Sequence, residues 1–306
     1  MEIRFFGLER QQFDNEKISP FIVPMKTILV PTDLSDHAEV ALAYALHMAK
    51  TIKAQKLVFY HHFVQTLSPE VPALYMDDME TIRPELLKRM NEDVAGVLKK
   101  EGILGSSLHV EVEFTSGTRG SAEVILETAH KHKADLIVMG THGKTGLEKL
   151  LFGSVTSSLI ETSTIPILAI PNKFRFQPIG KIVYASSLNF FSHELKSFLN
   201  FAGDLPSEVE IVYVDYGLLS ENKIASARHT LEKLNNNRLK LNVLKAIDFE
   251  PLKENLLAWL KTSKPDWLVM FSIKRPWYER LFLSSKILEL GTDFKKPILI
   301  LHKKEE

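Results

Sequence analysis

The feature that most constrains this chain is a duplication. Asp135-Leu-Ile-Val-Met139 recurs as Asp266-Trp-Leu-Val-Met270, and Pro166-Ile-Leu-Ala169 recurs at the same offset as Pro297-Ile-Leu-Ile300. Two apolar runs repeated in register indicate an internal repeat. From Lys26 onward, short apolar runs alternate with helical patterns, which signals β-α-β units and a mostly parallel sheet. A chain of 306 residues exceeds what one core usually organises, so two units of about 150 residues are expected. The boundaries read as an N-terminal extension of unknown role over 1–24, a first domain over 25–171, a linker over 172–180 and a second domain over 181–306. Pro171 and Pro178 punctuate the linker, which has no apolar periodicity.

Within the first unit, Lys26-Thr-Ile-Leu-Val-Pro31 reads as a buried strand. Asp36 and Glu39 are spaced as a capping box ahead of an apolar helix through Val40, Ala43, Leu46 and Ala49. A strand over 56–63 and a polar connection precede a helix over about 84–100. Val110, Val112 and Phe114 alternate with polar residues as a half-exposed strand near a sheet edge. A helix over 121–131, the strand 135–139, a helix over 154–161 and the strand 166–170 complete the unit. In the second unit, strands over 181–184, 209–214 and 239–247 alternate with helices over 192–205, 224–234 and 251–260 before the two repeated runs. Phe190, Phe191, Trp259 and Trp267 read as core or inter-domain packing.

Composition narrows the functional classes. Basic and acidic residues are equal at 38 each, without the basic excess that counterion release onto nucleic acid exploits. No cysteine is present, which removes disulfides, thiolate zinc sites and thiol catalysis. No apolar stretch approaches the roughly 18 residues of a membrane span. Arg4, Glu9, Arg10, Asp14 and Glu16 interrupt the first 24 residues, unlike the apolar core of a signal peptide. The expectation is a cytoplasmic protein without nucleic-acid or membrane partners. Met25 directly precedes the first clear strand, so the leading segment reads as an appended arm or an upstream start.

The chemistry concentrates after the fourth strand, where Gly140, Gly143 and Gly146 are followed by Gly153-Ser154-Val155-Thr156. Ligands of open parallel sheets settle outside the carboxyl ends of the strands. Glycines let backbone amides approach an anion, and a helix starting at Gly153-Ser154 aims free N–H groups and its positive dipole end at a phosphate. Ser154 and Thr156 add hydroxyls. Gly143-Lys144-Thr145 is not a Walker loop, because Val138 stands where that motif needs its first glycine.

The spacing of Gly140, Gly143 and Gly153-Ser154 resembles the nucleotide loop of the universal stress protein family. Ile28-Leu-Val-Pro-Thr-Asp33, Asp135-Leu-Ile-Val-Met139 and Pro166-Ile-Leu-Ala-Ile170 extend the resemblance across residues 25–171. A weaker resemblance over about 179–302 makes this a tandem form. The resemblance implies two Rossmann-like α/β domains, each a five-stranded mostly parallel sheet with helices on both faces. It also implies binding of ATP, or AMP or ADP, with Mg or Mn bridging the phosphates. Carried over by position, Pro31, Thr32 and Asp33 line the nucleoside pocket and Met139 and Gly140 lie beside the ribose. Gly143, Gly153, Ser154, Val155 and Thr156 surround the phosphates. His62 departs from the family, which commonly places an aliphatic residue there. In the second unit Phe271, Lys274 and Ser284-Ser285 stand where the loop has Gly140, Gly143 and Gly153-Ser154. With Arg275-Pro-Trp-Tyr278 between them, no nucleotide is expected there. The family habit of joining terminal strands implies an intrachain pseudo-dimer, alongside a homodimer of whole chains.

Competing readings stay open. The glycine loop could be a structural turn, and Asp33 could cap the helix that starts near Ser35. His37, His61, His62 and His142 suggest a metal site, but consecutive strand residues face opposite sides. Lys274, Arg275 and Arg280 could form an anion patch or a solvated face. A nucleotide-binding regulatory module, a slow ATPase and a dimerisation scaffold are the functions to separate. For hydrolysis, His142 is the nearest candidate base.

Overall fold

The computed structural model describes residues 25–65, 78–103, 107–141, 152–203, 205, 207–217, 220–246, 251–272 and 294–302. Gly143 and His142, the second-unit positions from Lys274 to Ser285, and the 1–24 extension lie outside them.

The first half comprises β1 Thr27–Thr32, α1 Asp36–Thr51, β2 Lys56–Val64, α2 Asp78–Lys100, β3 His109–Gly117, α3 Ser121–Lys131, β4 Leu136–Gly140, α4 Ser154–Thr162 and β5 Ile167–Ile170. The second comprises β6 Lys181–Ala185, α5 Phe191–Ala202, β7 Glu208–Asp215, α6 Ser220–Leu234, β8 Leu239–Lys245, α7 Leu252–Ser263, β9 Trp267–Ser272 and β10 Ile298–His302. The strands form one sheet in the order β3-β2-β1-β4-β5-β10-β9-β6-β7-β8. Each half contributes five strands, parallel to one another within it. The halves join where β5 and β10 run antiparallel, with Leu168 opposite Leu299 at the centre of the register.

Alternation along the strands loads both faces. Ile28, Val30, Ile182 and Tyr184 point into one apolar layer, against α1, α2, α5 and α6. Leu29, Ile137, Val183 and Leu268 point into the other, against α3, α4 and α7. Strands buried on both faces are apolar runs, as in β5 and in β10 up to its last residue, the buried His302.

The repeated aspartates explain the repeat. Asp135 Oδ2 accepts the amides of Lys26 and Thr27 at 2.7 and 3.0 Å, and Asp266 Oδ2 accepts those of Gly180 and Lys181 at 2.8 and 2.9 Å. Each carboxylate thus ties the start of one central strand to the next. After β1 and β6 the chain turns the same way: Leu34 and Leu188 adopt left-handed φ of 60° and 58°. The Leu34 amide donates to Thr32 Oγ1 at 2.9 Å and the Leu188 amide to Ser186 Oγ at 3.1 Å.

Several expectations need correction. The cap of α1 is Ser35, whose hydroxyl accepts the Ala38 amide; Glu39 instead pairs with Lys100 at 2.9 Å. The helix expected from Pro84 begins at Asp78, so Pro84 lies inside it at the seventh position, where the N–H that would bond the Glu80 carbonyl is missing. Phe190 is 46 % exposed rather than packed, while Phe191 is buried. The connection after β5 is docked, with Phe176 stacked on His47 at 5.1 Å and edge-on to Tyr44 at 5.1 Å. Tyr44 also receives the indole N–H of the fully buried Trp267 at 2.6 Å, a bond between the two halves. A Tyr44→Phe variant leaves that N–H without its acceptor, and urea unfolding is expected to show a loss of about 1–3 kcal/mol.

Candidate functional site

At the carboxyl ends of β1, β2 and β4 lies a cleft of about 590 Å³. Pro31, Thr32 and Asp33 from the end of β1, His62 from β2, Met139 and Gly140 from β4, and Gly153, Ser154, Val155 and Thr156 at the head of α4 all line it. Tyr60, Val64, Ser121 and Ile125 line it too, and sequence reasoning missed them. A period-two reading of β2 would have placed Tyr60 on the face of His62, but nothing local signals that the start of α3 bends into the cleft.

The head of α4 faces the cleft. Gly153 is its cap, with φ of −58° and ψ of 158°, and its amide donates to the Thr141 carbonyl at 2.8 Å. The first intrahelical bond runs from the Ser157 amide to the Gly153 carbonyl, so the amides of Ser154, Val155 and Thr156 precede the helical ladder. The Thr156 hydroxyl donates to the Gly140 carbonyl at 3.3 Å, which ties helix to strand and makes Thr156 a brace for the site. Asp33 Oδ1 accepts the Ser35 amide at 3.1 Å and the Ser35 hydroxyl at 2.5 Å, so its carboxylate orders the turn into α1 while lining the cleft. His61 and His62 both line the cleft but make different bonds: His61 lies tilted against Phe114 and bonds the Thr32 carbonyl at 2.7 Å, whereas His62 bonds Thr115 and the Arg119 carbonyl.

A model of the universal stress protein family matches residues 24–171. The chain is 38 % identical over 146 residues to universal stress protein MJ0531 of Methanocaldococcus jannaschii, covering 47 % of this chain and 81 % of that protein. It is 30 % identical over 162 residues to MJ0577 of the same organism, covering 49 % and 98 %. The chain belongs to the universal stress protein family. A universal stress protein from Archaeoglobus fulgidus shares the fold across 94 % of this chain and 99 % of its own, with a TM-score of 0.68 at 17 % identity. Among the described residues, no helix is long and apolar enough to cross a membrane.

The duplication in this universal stress protein separates site from scaffold. Glu111, Glu113 and His132 lie within metal-ligating distance of one another, but Lys56 Nζ sits 2.5 Å from Glu111 and 3.0 Å from His132 Nδ1. An ammonium only donates, so Nδ1 accepts and Nε2–H donates to Glu113 at 2.5 Å. Strand register places Glu208 and Lys240 where the first half has Lys56 and Glu111. They pair at 3.6 Å with the signs exchanged. The group is therefore a charge lock between neighbouring strands.

The hydrogen bond from Lys56 holds the Glu111 carboxyl below the usual carboxylate range. Burial opposes ionisation of Glu113, yet bonds from Lys131 and His132 outweigh it and its pKa is also lowered. Depressed carboxylates stabilise the fold above their unfolded pKa, and that contribution disappears as pH falls below about 4. In urea melts at neutral and acid pH, Glu113→Gln is expected to lose less stability on acidification than the parent.

Proposed function

We propose that the first-half cleft binds an adenine nucleotide and that the protein is a ligand-responsive regulatory module of the stress response. The observation that carries this reading is convergence: the amides of Ser154, Val155 and Thr156 meet the end of β1 and the bare Gly140 in one cleft. Phosphates belong at α4, where helix dipole and amides favour negative charge, and Gly143 and the rest of its loop would complete their enclosure. The nucleoside extends toward Asp33 and β2. The residues suit ATP, with AMP and ADP as shorter relatives, and Mg or Mn accompanying the nucleotide would neutralise phosphate charge beside Ser154. Family resemblance supports the same ligand class.

The second half is proposed to be the silent partner of a pseudo-dimer spanning residues 25–171 and 181–306, in a cytoplasmic protein that also forms homodimers. Register places Phe271 where the first half has Gly140, and its ring lies 5.6 Å from that of Tyr184. A side chain fills the space that a glycine leaves open. Hydrolysis is the lesser reading, because Asp33, the acid in the cleft, is engaged by Ser35.

Mg-ATP is expected to stabilise the protein by about 2.7 kcal/mol at a hundredfold excess over its dissociation constant, read as a rise in thermal midpoint. Gly140→Phe, which copies the second half, is expected to abolish the rise. No shift at millimolar nucleotide overturns the proposal.

A further inference from the structure

The two halves offer an internal comparison for the wall of the cleft farthest from α4. In the first half that wall is polar. His62 Nε2 lies 3.2 Å from the Arg119 carbonyl, His62 Nδ1 lies 2.9 Å from Thr115 Oγ1, and the Tyr60 hydroxyl bonds the same Thr115 oxygen. A carbonyl only accepts, so Nε2 carries a hydrogen. Neutral His62 then takes the Thr115 hydrogen at Nδ1, and Thr115 takes that of Tyr60. One unbroken chain of donors runs from the fully buried Tyr60 to the backbone just ahead of α3.

Strand register assigns the counterparts. Pro31 pairs with Tyr60 as Ala185 pairs with Val212, and His62 pairs with Thr115 as Val214 pairs with Leu244. Tyr60, His62 and Thr115 therefore correspond to Val212, Val214 and Leu244. Val212 and Val214 are buried, and Leu244 packs against the same layer as Val212. This fold is satisfied by three apolar side chains at these positions, so the polar chain of the first half is not something the architecture demands.

We infer that His62 is a positioning residue for the nucleoside end of the cleft, acting through the Arg119 carbonyl to hold residues 117–120 and the head of α3 against the ligand. Both ring nitrogens are engaged, so the imidazole orders the wall rather than donating to the ligand. The wall stands two strands from β4, roughly 10 Å, the reach of a nucleoside anchored by its phosphates at α4. Ser121 and Ile125 of α3 line the cleft beside it. This inference rests on the nucleotide reading above and assigns the base end of that site.

The test grafts the second half's wall onto the first as Tyr60→Val/His62→Val/Thr115→Leu in the full chain. Titrations use Mg-ATP and inorganic tripolyphosphate. The graft is expected to fold with a lowered unliganded thermal midpoint, since truncating the fully buried Tyr60 leaves a cavity, to weaken ATP by about tenfold or more, and to leave tripolyphosphate affinity near the parent's. His62→Gln, which retains one donor and one acceptor, is expected to bind ATP within about threefold of the parent, unlike His62→Val. Should the graft itself unfold, this pair of single variants decides. ATP affinity unchanged in the graft or in His62→Val, equal loss of tripolyphosphate, or His62→Gln as weak as His62→Val overturns the inference. A parent that binds tripolyphosphate and ATP equally removes any base end and overturns it too, whereas a parent that binds neither brings down the nucleotide reading itself.

Discussion

Everything in this molecule hangs on the antiparallel seam between β5 and β10. Each half alone would present a five-stranded sheet whose last strand is apolar on both faces and unpaired along one side, a template for association. Running β10 against β5 satisfies the ladder of both strands and lets each apolar layer continue from one half into the other. The bond from Trp267 to Tyr44 and the docking of Phe174 and Phe176 on α1 then fasten the halves from one side. With the seam closed, the carboxyl ends of the two half-sheets are fixed, and the cleft of the first half is held by a scaffold twice its own size.

Duplication gives that scaffold its own control. Features present in both halves serve the fold: the aspartate that ties two strand starts, the left-handed leucine after the first strand, and the charged pair locking the outer strands. The exchange of signs between Lys56/Glu111 and Glu208/Lys240 is informative, since attraction across adjacent strands is indifferent to which strand carries the cation. A metal site would not survive that exchange. Features present in one half alone, Gly140 and the Tyr60–Thr115–His62 chain, are where ligand chemistry should be sought.

Strand alternation, the repeat and the edge position of β3 were legible in the sequence, because buried parallel strands are apolar runs and an edge strand alternates. The ends of β1 and β4 and the head of α4 were legible too, since glycines and helix starts mark a switch-point cleft. What escaped was set by tertiary geometry. Asp36 and Glu39 satisfy the spacing of a capping box, yet Ser35 is one residue earlier and wins the cap once Asp33 orders its hydroxyl. Tyr60, Ser121 and Ile125 reach the cleft from elements whose relative placement no local pattern encodes. The aromatic residues after β5 carry no periodicity because they pack singly onto α1.

The second half carries large rings in the apolar layer behind its strand ends, where the first half is lighter. Register places Tyr184 where the first half has Val30, and its hydroxyl donates to the buried carboxylate of Glu194. Burial, and the Glu194 carboxylate beside it, push the Tyr184 phenol far above its usual range, which keeps it a donor. Phe191, Phe198 and Phe271 gather around its ring. Large rings and a satisfied buried hydrogen bond thus occupy the ground near α5, while the corresponding strand ends of the first half stay small, glycine-bearing and open. A binding site needs unfilled space and held polar groups, both of which oppose close packing. Pairing an open half with a filled one across a shared sheet lets the filled half supply the rigidity that the open one gives up.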